Sequence, residues 1–204
     1  MMTEKDFYNT IDKNTVAEFK DRGSRFIAMA FPLQAKEMLK PILATVKAQH
    51  PKAAHFCFAY RIRLDGNNFR STDDGEPAGT AGKPILGQID SKELTNTLII
   101  VVRYFGGTLL GVPGLINAYK TAASLVLQVT PVLQKQVEVL YQLQFDYTML
   151  NDIMQIIRQY NCSIQSQELQ LFCSMVIGIP IKRVDALLNR LQDIQNAEVK
   201  KMSV

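Results

Sequence analysis

Apolar positions along this chain change period several times, and each change marks an element. Val137, Val139, Tyr141, Leu143 and Phe145 alternate with their neighbours, the period-2 pattern of a strand with one buried face. Leu150, Ile153, Ile157 and Tyr160 then recur at helical spacing and predict a helix over Met149–Tyr160. Ser163–Leu169 and Leu171–Ile177 read as two strands. Ile181–Ile194 reads as a helix with Val184, Leu187, Leu188 and Leu191 inward, and Glu198–Met202 closes as a strand. The order βαββαβ is that of a ferredoxin-like α+β unit.

The first part of the chain reads as mixed α/β. Val16–Lys20 and Arg25–Ala30 are strands joined by the turn Asp21–Ser24. Met38, Leu39, Ile42, Leu43 and Val46 mark one face of a helix over Gln34–Gln49, which Pro41 should kink or shorten. Ala54–Arg63 is a strand, Leu64–Asn68 a hairpin turn, and a strand follows through Phe69 and Ser71. A short helix spans Pro84–Ile89. Leu98–Tyr104 is continuously apolar up to Val102, as expected of a central strand covered on both faces. A helix over Leu115–Val129 ends at Thr130-Pro131, a stop signal. These patterns predict two domains, 1–132 and 137–204, with a linker near 131–136.

Composition narrows the class without naming a function. Of 204 residues, 47% are hydrophobic and 21% charged, which is ordinary for a globular protein. No apolar run approaches the ~20 residues that span a bilayer, and Met1–Asp6 is polar. A soluble, cytoplasmic protein with no membrane association is expected. Net charge is +4, unevenly spread: residues 1–136 hold 17 Lys+Arg and 12 Asp+Glu, whereas 137–204 hold 6 and 7. The basic first domain is compatible with RNA or an acidic partner. Cys57, Cys162 and Cys173 form no CxxC, sit in apolar runs and read as buried thiols.

Eight of the 11 glycines lie between residues 71 and 120, seven of them in two loops flanking the apolar strand. One loop runs Ser71–Pro84 and the other Arg103–Gly114. Such density implies positive φ or close approach of backbone to something. Both loops enter helices, whose free N–H groups suit phosphate, with Lys83, Arg103 and Lys120 as added charge. The first loop is not a Walker loop, because Lys83 is followed by Pro84, and no GxGxxG follows a strand. No cofactor is expected. Asp73, Asp74 and Glu76 have two readings: a Mg²⁺ site, or caps and ion pairs with Arg25 or Arg103. His55 and Cys57 point to one strand face. They are a dyad candidate, or His55 bonds a loop backbone while Cys57 fills the core. Tyr104 and Phe105 either stack on a base or plug the core.

Arg25-Phe26-Ile27-Ala28, His55-x-Cys57-x-Ala59-Tyr60, Asp73–Gly82 and Val102–Gly111 together resemble the YigZ/Impact family. The resemblance is deep over about residues 15–130, and the final segment resembles the small domain of bacterial members. It implies a first domain with the α/β fold of the second domain of a small-subunit ribosomal protein. It implies a second domain like a late domain of translation elongation factor G. Eukaryotic relatives regulate translation by competing for a kinase activator. This chain departs from the family pattern at Ala78, Pro113 and Asn117, the last replacing a basic residue. The expectation is a non-enzymatic, translation-linked protein that binds RNA, the ribosome or a regulatory protein. Its candidate binding residues are Arg25, His55, Asp73, Asp74, Glu76, Gly79, Thr80, Lys83, Arg103, Tyr104, Gly106, Gly107 and Lys120. The alternatives are an enzyme acting on a phosphorylated or peptide-like small molecule at the paired loops, and a protein–protein adaptor.

Overall fold

A computed structural model describes residues 6–192, 194 and 197–202. The polar stretch Met1–Lys5 and Asp193, near the end of the last predicted helix, lie outside the described residues. The protein is a mixed α/β chain of two compact units, Tyr8–Lys135 and a second that runs from Gln136 and includes Asp6 and Phe7. Among the described residues no helix is long and apolar enough to cross a membrane.

In chain order, the first unit holds all but the first residue of β1 (Phe7–Ile11), then β2 (Thr15–Asp21), β3 (Ser24–Pro32), α1 (Leu39–Gln49), β4 (His55–Arg61), β5 (Phe69–Thr72), α2 (Gly82–Ser91), β6 (Thr97–Tyr104), α3 (Gly111–Val129) and all but the last residue of β7 (Val132–Gln136). Five strands form one antiparallel sheet in the order β2-β3-β6-β4-β5, so the apolar strand β6 is central. Its side chains alternate between two cores. Ile99 and Val101 face α2 and α3 with Phe26, Cys57, Ile85, Ile89 and Tyr119. Leu98, Ile100 and Val102 face α1 with Val46, Phe58 and Tyr60. Burial on both faces is why the strand is apolar from Leu98 to Val102.

Helix starts differ from the pattern-based ones, and at α2 and α3 the reason is the place of proline. Pro41, Pro84 and Pro113 each occupy the third position of α1, α2 and α3. A first-turn N–H has no intrahelical partner, so proline costs nothing there. α2 and α3 therefore begin before their prolines. α1 begins at Leu39 instead of Gln34, after a 3₁₀ turn at Lys36–Met38, and Pro41 does not kink it. The segment read as a linker contains β7, which pairs with β1 in a two-stranded ribbon.

The second unit contains β8 (Glu138–Asp146), α4 (Leu150–Gln159), β9 (Ser163–Glu168), β10 (Phe172–Pro180), α5 (Val184–Gln192) and β11 (Glu198–Lys201). Its antiparallel sheet has the order β11-β8-β10-β9. Tyr141, Leu143, Phe145, Met175, Ile177 and Ile179 meet Ile153, Ile157, Leu187 and Leu191 from the helices in one core. The other face of the sheet carries polar side chains such as Gln142, Gln144 and Ser174.

Two glycines fix the loops by lacking a side chain. A Cβ on Gly106 would sit 1.9 Å from the carbonyl carbon of Gly23, and one on Gly82 would sit 2.7 Å from the Thr72 nitrogen. The β2–β3 turn thus lies directly on the second loop, where the Gly106 N–H donates to Ser24 Oγ at 3.2 Å. Gly106→Ala should cost about 3 kcal/mol through overpacking. Gly87→Ala, within α2 and with open space around it, should gain about 1 kcal/mol. Urea midpoints of the two variants check both signs.

Candidate functional site

β4 and β6 place His55 opposite Arg103 and Cys57 opposite Val101. All four side chains point to the α2/α3 face of the sheet. The first glycine loop folds over them, and α3 brings Tyr119 from above. The Glu76 carboxylate is the meeting point. Its Oε1 accepts hydrogen bonds from Arg103 Nη1 at 2.6 Å and from the Tyr119 hydroxyl at 2.7 Å, and His55 Nε2 stands 3.8 Å away. Glu76 and Arg103 side chains are only 3% and 6% exposed. The guanidinium lies between the rings of Phe26 and Phe105, 5.5 and 5.6 Å from their centroids. Arg103 Nε is enclosed without a hydrogen-bond partner among the described residues. Arginine suits this sandwich because its planar, weakly hydrated cation stacks on aromatic faces.

The two aspartates serve the loop itself. Asp73 Oδ1 accepts the N–H groups of Ala81 and Gly82 at 2.9 and 2.8 Å, and Oδ2 accepts that of Gly79 at 2.8 Å. It thereby caps α2 from a distance, since the N-cap residue Ala81 has no capping side chain. Burial pushes the Asp73 carboxyl upward. The three backbone donors, helped by the charge of Lys83, outweigh it and hold the group below its usual value. Asp74 Oδ2 accepts the Phe56 N–H at 2.7 Å, and the Asp74 carbonyl meets His55 Nδ1 at 2.8 Å. Cys57 Sγ donates to the Asp73 carbonyl at 2.9 Å and lies 3.3 Å from the Tyr119 hydroxyl. Burial, first of all, raises its thiol to about 12. A thiol so held is a poor nucleophile.

The geometry corrects several expectations. The α2 N-terminus is filled by Asp73, so the first loop is not an open phosphate cradle. The acidic trio does not converge: its carboxylates turn to different partners, and among the described residues no three His, Cys, Asp or Glu are grouped to hold a metal. Arg25 pairs with Glu18 at 2.8 Å, away from the trio. Arg103 is sealed in the interior and does not share a face with Tyr104. Tyr104 points to the α1 side, where its hydroxyl meets His50 Nδ1 at 2.9 Å and Arg25 lies 5.5 Å from its ring centroid. Phe105 neither plugs the core nor stands clear of the chain: it is 51% exposed and covers Arg103.

The remaining candidates scatter by role. Gly79 and Thr80 build the loop, with Thr80 Oγ1 donating to the Pro77 carbonyl at 2.7 Å. Gly106 and Gly107 shape the second loop, Gly107 with φ +83°. Lys83 and Lys120 are exposed on their helices, as is Asn117. Sequence reading gave no site role to Tyr119, which holds Glu76, or to Phe26, a motif residue that stacks under Arg103. Both look like core residues at helix or strand spacing. It also missed His50, Lys47 and Phe56 on the α1 side, where Lys47 Nζ lies 5.3 Å from the Phe56 ring centroid.

Fold and site together define a two-unit mixed α/β protein whose first unit is locked by a buried Glu–Arg–Tyr knot under paired glycine loops. Residues 22–127 match the family model of the Impact N-terminal domain. The chain is 32% identical over 185 residues to the Escherichia coli IMPACT family member YigZ, covering 90% of this chain and 91% of that one. It belongs to the IMPACT family. A crystal structure of a hypothetical protein is similar throughout, with 29% identity, 98% of each chain covered and a TM-score of 0.74. A chain described as the two-domain translational regulator Yih1 is 29% identical, covering 57% of this chain and 47% of that one, with a TM-score of 0.39.

The knot and the Asp73 cap each make a stability prediction. Glu76→Ala leaves the Arg103 cation buried and unpaired, so it should cost about 4 kcal/mol in urea unfolding. Asp73 has a depressed folded-state value. Its contribution is therefore fully present above the ordinary carboxylate range and is lost as pH falls through the folded value. The stability gap between wild type and Asp73→Asn should be widest near neutrality. It should narrow below about pH 4, read from unfolding midpoints across pH.

Proposed function

We propose that this protein is a non-enzymatic, translation-linked regulatory protein of the cytoplasm, which binds RNA or the ribosome through its first unit. One observation carries the reading. At one end of the sheet, two half-buried aromatic rings each hold a cation: Arg25 against Tyr104 and Lys47 against Phe56, with His50 beside them. Stacking rings flanked by exposed cations are what a single-stranded nucleic acid uses. The net positive charge of residues 1–136 supports the same choice. Resemblance to a family whose eukaryotic members regulate translation supports the link to translation.

The enzyme alternative needs Asp73, Asp74, Glu76, Lys83 and Arg103 to converge on a substrate. The three carboxylates and Arg103 are engaged with backbone N–H groups or with one another, and Lys83 is exposed on its helix, which supports a binding role instead. On this reading, the first unit is like the second domain of a small-subunit ribosomal protein. The second is ferredoxin-like, a reading supported by its βαββαβ order and antiparallel sheet. The reading takes 1–132 and 137–204 as the two domains; the compact units support a boundary near residue 135, with Asp6 and Phe7 grouped with the second unit.

Binding to ribosomes and to structured RNA, measured across salt, tests the proposal. The logarithmic salt slope should fall by about 2 in Arg25→Ala/Lys47→Ala, about one for each lost phosphate contact. The absence of salt-dependent affinity at low ionic strength in the wild type would overturn the nucleic-acid reading.

A further inference from the structure

The second unit carries an apolar knob that its own core does not use. Leu169, Leu171 and Phe172, at the β9–β10 turn, are 43%, 82% and 83% exposed, and Tyr147 nearby is 54% exposed. These are large side chains close together on a small unit, and such patches mark docking sites. The knob is held in place: the Tyr147 N–H donates to the Leu171 carbonyl at 3.1 Å, fastening the hairpin to the turn before α4. Asp146 braces that turn by accepting from the Thr148 N–H and hydroxyl at 2.9 and 2.7 Å. A preformed knob loses little conformational freedom on binding.

A groove of about 480 Å³ adjoins the knob, and Phe172 forms part of its wall. The other lining includes Gln144, Asp146, Ser174 and Glu198. Its charged lining residues are both carboxylates, and among the described residues neither Lys nor Arg lines it, Lys200 lying in the adjoining groove beside Glu198. Glu168 lies opposite Ser174 on the neighbouring strand and adds a third acidic side chain. Thr148, through both of its hydrogen bonds, holds Asp146 below the usual carboxylate range, so that charge persists in mild acid. The knob is thus apolar at its tip and acidic at its flank.

We propose that this face docks a basic segment of a partner protein, with Phe172 and Leu171 seated against its aliphatic side chains and Asp146, Glu168 and Glu198 facing its lysines or arginines. Charge complementarity selects that occupant. The same carboxylates repel RNA and an anionic lipid surface. The site is distinct from the basic-aromatic face of the first unit, so the chain has two surfaces of opposite preference. Ribosome or RNA binding by one can fail while basic-segment binding by the other stands.

The test uses the full chain and a fluorescein-labelled short peptide of alternating lysine and leucine, read by anisotropy. Control peptides replace lysine by glutamate, or leucine by glycine. The Lys/Leu peptide should bind and both controls should not. Phe172→Ala should weaken binding at least about tenfold, as for a central aromatic anchor. Glu168→Gln/Glu198→Gln should weaken it at low salt and lose most of that effect at high salt. Phe172 is exposed, so the thermal midpoint should not move; Leu171→Ser provides a second variant if it does. Four results would overturn the proposal: no binding by wild type, equal binding of the Glu/Leu peptide, unchanged binding by both knob variants, or self-association by light scattering that Phe172→Ala abolishes. The last would make a second copy of this chain the occupant.

Discussion

The Glu76 carboxylate is the constraint on which the first unit depends. It is an anion placed where water is almost absent, and it is tolerable only because Arg103 and Tyr119 aim donors at it. The carboxylate and its two partners come from three different elements: the loop after β5, the end of β6 and the middle of α3. One carboxylate therefore ties together three segments distant in sequence. The glycines of both loops serve this arrangement. They let backbone approach backbone closely enough for the loops to close over the knot.

A buried pair is weak evidence for net stability, since a well-packed apolar replacement often does as well. It is better evidence for uniqueness. Glu76 and Arg103 are costly in any alternative register that separates them. Sliding β4 against β6 by one residue would move Arg103 to the α1 face, leaving Glu76 alone. The knot thus selects the observed register, and that register also sets Tyr104 and Phe56 on the opposite face. Locking on one side of the sheet fixes the geometry of the other.

Much of this was legible in the sequence because it rests on periodicity. The βαββαβ order after residue 137 and the central position of β6 follow from apolar spacing alone. Helix starts were less legible, because proline looks like a breaker until its place in the first turn is known. The site was legible as a set of residues but not as an arrangement. Sequence marks Asp73, Asp74 and Glu76 as one cluster, yet their partners are a helix end, a strand N–H and a buried cation. That sorting depends on which atoms the loop brings together, which no local spacing encodes. Tyr119 was invisible for the same reason: its hydroxyl sits on a residue that otherwise reads as apolar helix face.

The ribbon of β1 and β7 has a consequence for the order in which the chain acquires structure. Asp6 belongs to the second unit, where its carbonyl accepts the Val137 N–H and its carboxylate meets Lys182. During synthesis the segment from Tyr8 to Lys135 emerges first and can collapse around its own sheet. Asp6 must wait for Val137, a delay on the order of ten seconds at ordinary elongation rates. Its contacts with the second unit therefore close only after the intervening unit has been made. The second unit's completion thus reports that the ribosome has passed through the whole of the first.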